Sequence, residues 1–439
     1  MNRRHFLKSA AAAGATLPFA TSGLRAASPN GMLQHASIGA AGMAWGDIQS
    51  LGRHERFQLV AVADVDTRNF ARVKEQFPDV RCYPDWRELL ATEGDKIDSV
   101  NVTTPDHMHG PVGMAALGMG KHMYGQKPLA QNLAECRALK DRAAANGLVT
   151  QMGIQVSSDF SERHGVALVH AGTIGKIKEV HTFSNKTWGD MAPRPDKSDT
   201  PPEGFDWDLW LGVAEPRSFI DGYYHPGNWR KRRDFGTGTL GDMGCHMFSG
   251  WYRSLALSAP ITVRSVGPAP NKSNWAVDEV IEYIFPGTAY TEDKTVRVTW
   301  YDGAAAPPAE VDAMVANERP DQGSILIGTD GVLLAPHGSS PKVYRNGEAQ
   351  RVQMPDLEPR DHYTEFVEAC LAGDGTQPSA PFDYSGPLSE AVLLGCLATA
   401  LPGESLEWDA AALKFTNSEA ANALVRRSYR KGWEVEGLG

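Results

Sequence analysis

Gln34-His35-Ala36-Ser37-Ile38 runs directly into Gly39-Ala40-Ala41-Gly42-Met43-Ala44. The first five residues predict a short buried strand, and the small residues that follow predict a tight turn into a helix. Such a turn lets backbone N–H groups approach a pyrophosphate at the helix N-terminus. The pattern is G-x-A-G-x-A, with alanine in place of two of the usual glycines. Because strand–helix joints also use small residues for packing alone, the flanking sequence has to decide.

A second predicted strand, Leu59–Ala63, ends in Asp64, at roughly the separation from the turn at which a ribose-binding carboxylate is expected. A carboxylate there accepts hydrogen bonds from the ribose hydroxyls and repels a 2′-phosphate, which favours NAD over NADP. Arg68 lies close enough to leave NADP open. Asp66 is the competing carboxylate, and we expect it to face solvent at the start of the next helix. Strand and helix patterns then alternate up to a sixth strand at 148–153, which predicts a doubly wound sheet.

Lys127 stands immediately before Pro128. A residue before proline is disfavoured in the α region, so Lys127 is predicted to lie in extended backbone at a strand end. The carboxyl ends of parallel strands are where open α/β sheets bind ligands. The lysine is therefore expected at the junction between a cofactor-binding domain upstream and a substrate-binding domain downstream.

Three short motifs follow one another in this region: T-P-x-x-x-H, A-L-x-x-G-K-H and K-P-L-A. They are formed by Thr104, Pro105, His109, Ala116, Leu117, Gly120, Lys121, His122 and Lys127 to Ala130. Together they resemble the pattern of the Gfo/Idh/MocA family of sugar and polyol oxidoreductases, strongly over 35–155 and more loosely beyond. The resemblance implies an α/β Rossmann domain that binds NAD. It implies the following cofactor-binding residues: Gly39, Ala41, Gly42, Met43, Ala44, Asp64, Thr104, Pro105, His109, Lys127 and Pro128.

One position departs from the family pattern. The family usually has Glu-Lys-Pro, whereas Gln126 precedes Lys127 here. Glutamine keeps the hydrogen-bonding shape of glutamate but loses its charge. Expectations about the charge beside the lysine therefore do not carry over from the family.

The chain after residue 155 is predicted to be an α+β domain with a large, mainly antiparallel open sheet. Strand patterns with few helical periods between them occur at 177–183, 261–266, 277–285, 296–301, 324–327 and 332–335. The resemblance implies such a sheet as well, often used for oligomer contacts, so a homo-oligomer is expected. Helices near 361–372 and 387–401 are expected to pack back on the sheet or on the first domain.

A long region rich in proline and tryptophan lies between Asn185 and Phe235. Its aromatic content argues against disorder. Aromatic faces stack on sugar rings and arginines reach hydroxyls, so this region is predicted to wall a carbohydrate site; packing of the loop against the sheet is the alternative for any single tryptophan. The predicted substrate residues are Trp188, Tyr223, Trp229, Arg230 and, from the preceding strand, His181.

Asp242 and His246 are four residues apart, so both lie on one face of a predicted helix. For an isolated pair of this spacing, a capping or surface pair is the ordinary interpretation. The resemblance implies instead that Asp242 and His246 match the catalytic carboxylate and histidine of the family, and Lys127 the catalytic lysine. Three further histidines are candidates that could equally be structural: His109, His181 and His225.

Composition excludes several classes of function. The 439 residues carry a formal net charge of -10, which argues against nucleic acid or an anionic membrane as the main partner. Five scattered cysteines form no CxxC pair, so neither a disulfide framework nor a metal site is indicated.

The N-terminus predicts export. Arg3 and Arg4 precede a hydrophobic residue and a mild apolar run, and small residues near 24–27 offer a cleavage site. We expect a twin-arginine signal over 1–27, a Rossmann domain over 32–155 and a substrate-binding domain over 156–439, in a periplasmic or extracellular protein. No other run approaches the roughly 20 apolar residues that span a bilayer.

These features predict an NAD-dependent oxidoreductase, with NADP not excluded, that acts on a sugar or polyol hydroxyl. His246 would be the base, Lys127 the cation beside the developing alkoxide, and Asp242 the group that positions both. An exported enzyme has no free nicotinamide pool, so a redox-neutral glycosidase or sugar lyase with tightly bound NAD is an alternative. A non-catalytic sugar-binding protein is a second alternative.

Overall fold

The computed structural model describes residues 31–438, so the predicted signal over 1–27 lies outside the described residues. Six parallel strands form the first sheet in the order β3-β2-β1-β4-β5-β6, as the doubly wound prediction requires. Its strands are β1 Leu33–Ile38, β2 Phe57–Ala63, β3 Arg81–Tyr83, β4 Ser99–Val102, β5 His122–Gly125 and β6 Thr150–Met152. The helices between them are α1 Met43–Leu51, α2 Phe70–Gln76, α3 Trp86–Glu93, α4 His109–Gly118 and α5 Leu133–Ala145.

Ten strands form the second sheet, in the order β14-β13-β12-β11-β7-β10-β9-β8-β15-β16. Only the β7–β10 pair is parallel, which confirms the predicted mainly antiparallel sheet. The strands are β7 Ile177–Ser184, β8 Thr262–Ser265, β9 Val280–Pro286, β10 Thr295–Asp302, β11 Gln322–Gly328, β12 Val332–Pro336, β13 Lys342–Arg345, β14 Glu348–Gln350, β15 Leu406–Asp409 and β16 Lys414–Phe415.

Seven helices follow residue 155 within the described residues. They are α6 Phe160–His170, α7 Trp207–Leu211, α8 Gly238–Ser254, α9 Ala309–Met314, α10 His362–Ala372, α11 Phe382–Ala398 and α12 Glu419–Asn422. Helix α8 lies against β7, β10 and β11, which places Asp242 and His246 on a helix as expected. Helix α11 begins five residues before the predicted start, because Thr150 accepts a hydrogen bond from the Phe382 amide, and Pro387 falls inside the helix.

One hydrophobic core joins the two sheets. Helix α11 is buried on nearly every side, as a helix packed between other elements must be, and it contacts α5 on one side and α8 on the other. Helix α10 packs on α1 and β1. The late helices therefore fix α8 relative to the loops at the end of the first sheet. No helix among residues 31–438 is long and apolar enough to cross a bilayer.

Asp66 differs from its prediction. It caps the helical turn Thr67–Asn69, as expected for its position, but only 5% of it is exposed. The segment around Gly204 and Phe205 covers it, since the Thr67 amide donates to the Gly204 carbonyl and Asp66 forms a β-bridge with Phe205.

Candidate active site

Lys127 joins the end of the first sheet to α8. It lies two residues beyond β5, its peptide bond to Pro128 is cis, and its Nζ donates to the carbonyl oxygen of Asp242 at 2.6 Å and to Oδ1 at 2.8 Å. Arg230 donates from Nε to the same Oδ1 at 2.9 Å. Burial would raise the pKa of Asp242, but the two cations hold that pKa well below its usual range. Asp242 is therefore a charged clamp that orients both cations.

His246 follows Asp242 by one turn of α8 and lines a cavity that Lys127 and Arg230 also line. Its Nδ1 is buried with no hydrogen-bond partner among the described residues. Burial, together with the positive charge of Lys127 and the neighbouring His337, holds the pKa of His246 well below its ordinary value. The ring is therefore neutral near pH 7.

A cavity of about 550 Å³ runs from the turn after β1 to α8. Most of the residues predicted to bind the cofactor line it: Gly39, Ala41, Gly42, Met43, Asp64, Thr104, Pro105, His109 and Lys127. Ala44 is buried behind the turn rather than in the cavity wall. Pro128 does not line it either, and its carbonyl oxygen lies 2.8 Å from Nδ1 of His109. Burial lowers the pKa of His109 to about 4, so this histidine braces the loop as a neutral ring.

The turn after β1 has the backbone that a dinucleotide requires. Gly39 has φ +113°, and a Cβ there would lie 2.5 Å from the Thr103 carbonyl oxygen. Gly42, with φ +55°, caps the N-terminus of α1. Gly39 thus approaches Thr103 as closely as glycine allows, Gly42 supplies the positive φ that the turn needs, and the amides at the start of α1 stand at the cavity wall. These residues fit NAD.

Asp64 ends β2 at the cavity wall and also holds the turn. Its Oδ2 accepts a hydrogen bond from the Ala40 amide at 2.8 Å, and Oδ1 accepts from the Asp66 amide at 2.8 Å. Burial raises the pKa of Asp64 to about 6. Oδ2 also accepts a long hydrogen bond from Asn69 Nδ2 at 3.4 Å, whereas Oδ1 can accept a second hydrogen bond, so a ribose hydroxyl can still be bound here.

The residues predicted for substrate divide into two groups. Trp229 and Arg230 line the cavity, and the Arg230 guanidinium lies 4.3 Å from the Trp229 ring centroid and 5.4 Å from that of Trp188. His225 lines the cavity as well. Trp188 itself is not in the wall, and its amide donates to Thr239.

Tyr223 and His181 lie away from the cavity. Tyr223 packs in the aromatic cluster under the 205–235 loop, where its hydroxyl donates to Asn274 at 2.9 Å. His181 lies 3.0 Å from the Tyr301 hydroxyl. The Ser324 hydroxyl contacts both the hydroxyl of the next residue, Thr182, and the Met247 carbonyl oxygen of α8, so Thr182 lies on the face of the second sheet that meets α8. Because side chains alternate along a strand, His181 lies on the opposite face.

Asp106 is a buried carboxyl that sequence reasoning missed. It lines the cavity and accepts a hydrogen bond from Thr237 Oγ1 at 2.6 Å. Burial raises the pKa of Asp106 to about 7, against the lowering effects of Thr237 and of the cation Arg230. Asp106 occupies the first variable position of the T-P-x-x-x-H motif, directly after Pro105, and that position could have marked it as a candidate site residue.

Gln126 forms hydrogen bonds with the carboxylate of Asp47 on α1. Its Nε2 donates to Oδ1 and Oδ2 of Asp47, on α1, at 3.1 and 3.0 Å. Asp47 also accepts from Thr103 Oγ1 at 2.7 Å and from the Tyr363 hydroxyl at 3.0 Å. Burial raises the pKa of Asp47 to about 6. A glutamate at 126 would place two carboxylates in contact, which is a physical reason for the glutamine.

The family comparison covers part of the chain. Residues 33–154 match the profile of the oxidoreductase family with the NAD-binding Rossmann fold, the Gfo/Idh/MocA profile, which confirms the resemblance predicted from the motifs. Residues 1–17 match the twin-arginine translocation signal. Within residues 31–438, no group of three or more His, Cys, Asp or Glu side chains is placed to hold a metal ion.

Individual proteins show more distant similarity. A 1-carboxy-3-chloro-3,4-dihydroxycyclohexa-1,5-diene dehydrogenase of Comamonas testosteroni is 22% identical over 74% of this chain and 83% of its own length. An inositol 2-dehydrogenase of Pseudomonas fluorescens is 30% identical, but the match spans only 30% of this chain and 40% of that enzyme. The crystal structure of an aldose-aldose oxidoreductase from Caulobacter crescentus, complexed with glycerol, superposes with a TM-score of 0.59 at 17% identity, over 86% of this chain and all of that one.

Proposed function

We propose that this chain, an oxidoreductase whose residues 33–154 form a Gfo/Idh/MocA NAD-binding domain, oxidises a hydroxyl group of a sugar or polyol in the periplasm. The observation that carries the proposal is the contact of Lys127 with Asp242 beside a neutral His246, at the wall of the cavity that the nucleotide-binding turn enters. Relatives named for cyclic polyol and diol substrates support the substrate class.

The residues of the cluster divide the work of alcohol oxidation. The chemistry supplied by bound NAD is acceptance of a hydride from the carbinol carbon. His246, which is neutral at pH 7, is the group that takes the hydroxyl proton as the alkoxide develops beside Lys127. The Lys127 ammonium has three N–H donors and spends two on Asp242, so the third can donate to the developing alkoxide. Trp229 and Arg230 bind the rest of the substrate.

Preference for NAD rests on two contacts at the end of β2. Asp64 lines the cavity there and would repel a 2′-phosphate. Arg68, the cation that left NADP open, is bound by Asp66 through Nε and Nη2, each at 2.7 Å. That bidentate pair keeps the guanidinium from a 2′-phosphate.

The test uses purified full-length protein. Denaturation should release NAD or NADH, and candidate polyols should reduce the nicotinamide. Lys127→Met and His246→Ala should lose turnover by about 100-fold or more while still binding NAD, whereas the exposed Lys178→Met is the matched control. Wild-type turnover in either site variant would overturn the proposal, and equal use of NADP would overturn the cofactor preference.

A redox-neutral glycosidase or lyase is the second candidate, favoured by Asp106 and by the export signal. A carboxyl with a pKa near 7 beside the cluster can protonate a leaving group at neutral pH. Release of aglycone from a glycoside without net change in nicotinamide absorbance would select this reaction. The homo-oligomer implied by the resemblance remains a prediction, which the mass of the mature chain in solution tests.

A further inference from the structure

A second cavity, of about 470 Å³, adjoins the proposed active site. We call it the basic cavity. Its walls come from 131–133, the 215–237 loop, 272–275, the end of α11 and the C-terminal segment 424–428. Thr237 lines it and donates its hydroxyl to Asp106, which lines the first cavity. The two cavities are therefore separated by little more than one side-chain contact.

Positive charge concentrates around the basic cavity. Five cationic side chains line it: Arg217, Arg233, Lys272, Arg426 and Arg427. Glu215 and Asp234 are the acidic residues in the lining, and the buried Glu135 lies near enough to Arg427 to feel its charge; among the five cations, only Arg217 forms an ion pair with a described residue, Asp234. In a chain of net charge -10, this local excess is of the opposite sign to the whole protein. Such a cleft attracts anions.

At least one of these cations, Arg233, is partly withdrawn from solvent. Its guanidinium is partly buried, and burial lowers the pKa of Arg233. Its Nη1 donates to the Asn271 carbonyl at 3.2 Å, and it makes no ion pair with a described residue. The charge of the neighbouring Asp234 offsets burial only in part, and a cation taken out of water with an incomplete counter-charge is unfavourable. An anion in the basic cavity would complete that counter-charge.

The floor of the basic cavity is apolar. Leu393, Leu397 and Ala400 of the α11 region line it together with the Trp275 ring. Leu424, 39% exposed, completes the apolar surface. A bare inorganic ion would leave this floor in water, whereas a ligand with a carbon body would cover it.

We propose that the basic cavity binds a small organic anion. Arg427 donates from Nη1 to the Gln131 side chain and to the Asp234 carbonyl oxygen. Arg233 and the other N–H groups of Arg427 would hold the carboxylate or phosphate, since guanidinium groups bind both in the same forked geometry. The carbon body would lie on Leu393, Leu397 and Trp275. This site is distinct from the one proposed for the polyol hydroxyl and does not depend on its chemistry.

Calorimetric titration of the full-length protein at low ionic strength tests the proposal. The probes are sodium gluconate for the carboxylate, glucose 6-phosphate for the phosphate, and inorganic phosphate for the headgroup alone. We expect saturable binding of at least one organic anion, weakened by salt. Arg233→Gln and the double variant Arg426→Gln/Arg427→Gln should each weaken it about tenfold or more, and the exposed Arg351→Gln should not.

Three results would overturn the proposal. One is the absence of saturable binding with all three probes. Another is unchanged affinity in the folded double variant, which keeps the test valid if Arg233→Gln does not fold. The third is loss of binding in Lys127→Met but not in the arginine variants, which would place the anion in the active site. Inorganic phosphate binding as tightly as the organic probes would refute the role of the apolar floor.

Discussion

Replacing Gln126 by glutamate would restore the residue that usually precedes the lysine in Gfo/Idh/MocA enzymes, and we expect it to destabilise this protein. The Gln126 amide lies 3.0 Å from Asp47 Oδ2 in a site where Asp47 is fully buried. Two carboxylates at that distance would repel by about 5.5 kcal/mol at an effective dielectric constant of about 20. The two carboxylates can avoid this repulsion if one of them binds a proton.

Proton uptake is the smaller penalty at neutral pH. A glutamate titrates near pH 4.3 when unfolded, so holding it protonated at pH 7 costs about 3.7 kcal/mol at about 1.36 kcal/mol per pH unit. At pH 5 the penalty is smaller, because Asp47, with a pKa of about 6, is then mostly protonated and repels the glutamate less. The folded variant then binds one proton that the unfolded chain has lost, so its stability falls as pH rises. The free energy of unfolding should keep falling up to about pH 8, above which two ionised carboxylates are less unfavourable than a protonated glutamate.

Urea denaturation of the wild type and of Gln126→Glu at pH 5 and pH 7 measures this difference. Asp47→Asn/Gln126→Glu is the matched control, because it exchanges amide and carboxylate and should recover most of the free energy of unfolding. A Gln126→Glu variant as stable as the wild type at pH 7 would refute the reasoning. So would a loss of the same size at both pH values.

Two further predictions concern the cavity wall. Gly39→Ala should lower the free energy of unfolding by more than about 1 kcal/mol and weaken NAD binding, because φ is +113° and the new Cβ meets the Thr103 carbonyl oxygen. A thermal-shift titration with NAD measures both effects. An unaltered affinity for NAD would contradict this prediction. The hydrogen bond from Thr237 lowers the pKa of Asp106, so Thr237→Val should raise that pKa. If Asp106 controls a limb of the pH–rate profile near pH 7, that limb should move to higher pH. A limb that stays in place would mean that Asp106 does not control it.

The elements that sequence could predict are those with strong periodic patterns. The six parallel strands and the helix carrying Asp242 and His246 follow from runs of buried residues and from turn signals. The edge strands β13 to β16 were missed because their two to four residues carry little alternation and, unlike the equally short β3 and β6, they are not flanked by regularly alternating helix patterns.

Contacts between distant segments could not be predicted. Asp47 binds Thr103, Gln126 and Tyr363, three residues that only the folded chain brings together. Asp66 looked exposed because its cover, Phe205, lies far along the sequence. His181 looked available because its strand gives no sign of which face meets α8.

Helix α11 sets a constraint on recombining this enzyme with its relatives. A crossover near residue 155 would look natural, since the first sheet ends there. Yet α11 would then bring its own side chains against a foreign α5, and α10 would meet a foreign α1 and β1. A chimera that respects the α10 surface must transfer 362–372 with the first sheet, although these residues lie about 200 positions further along the sequence. Helix α11 meets a foreign helix in either arrangement, because it packs on both α5 and α8. The interchangeable unit is therefore discontinuous in sequence.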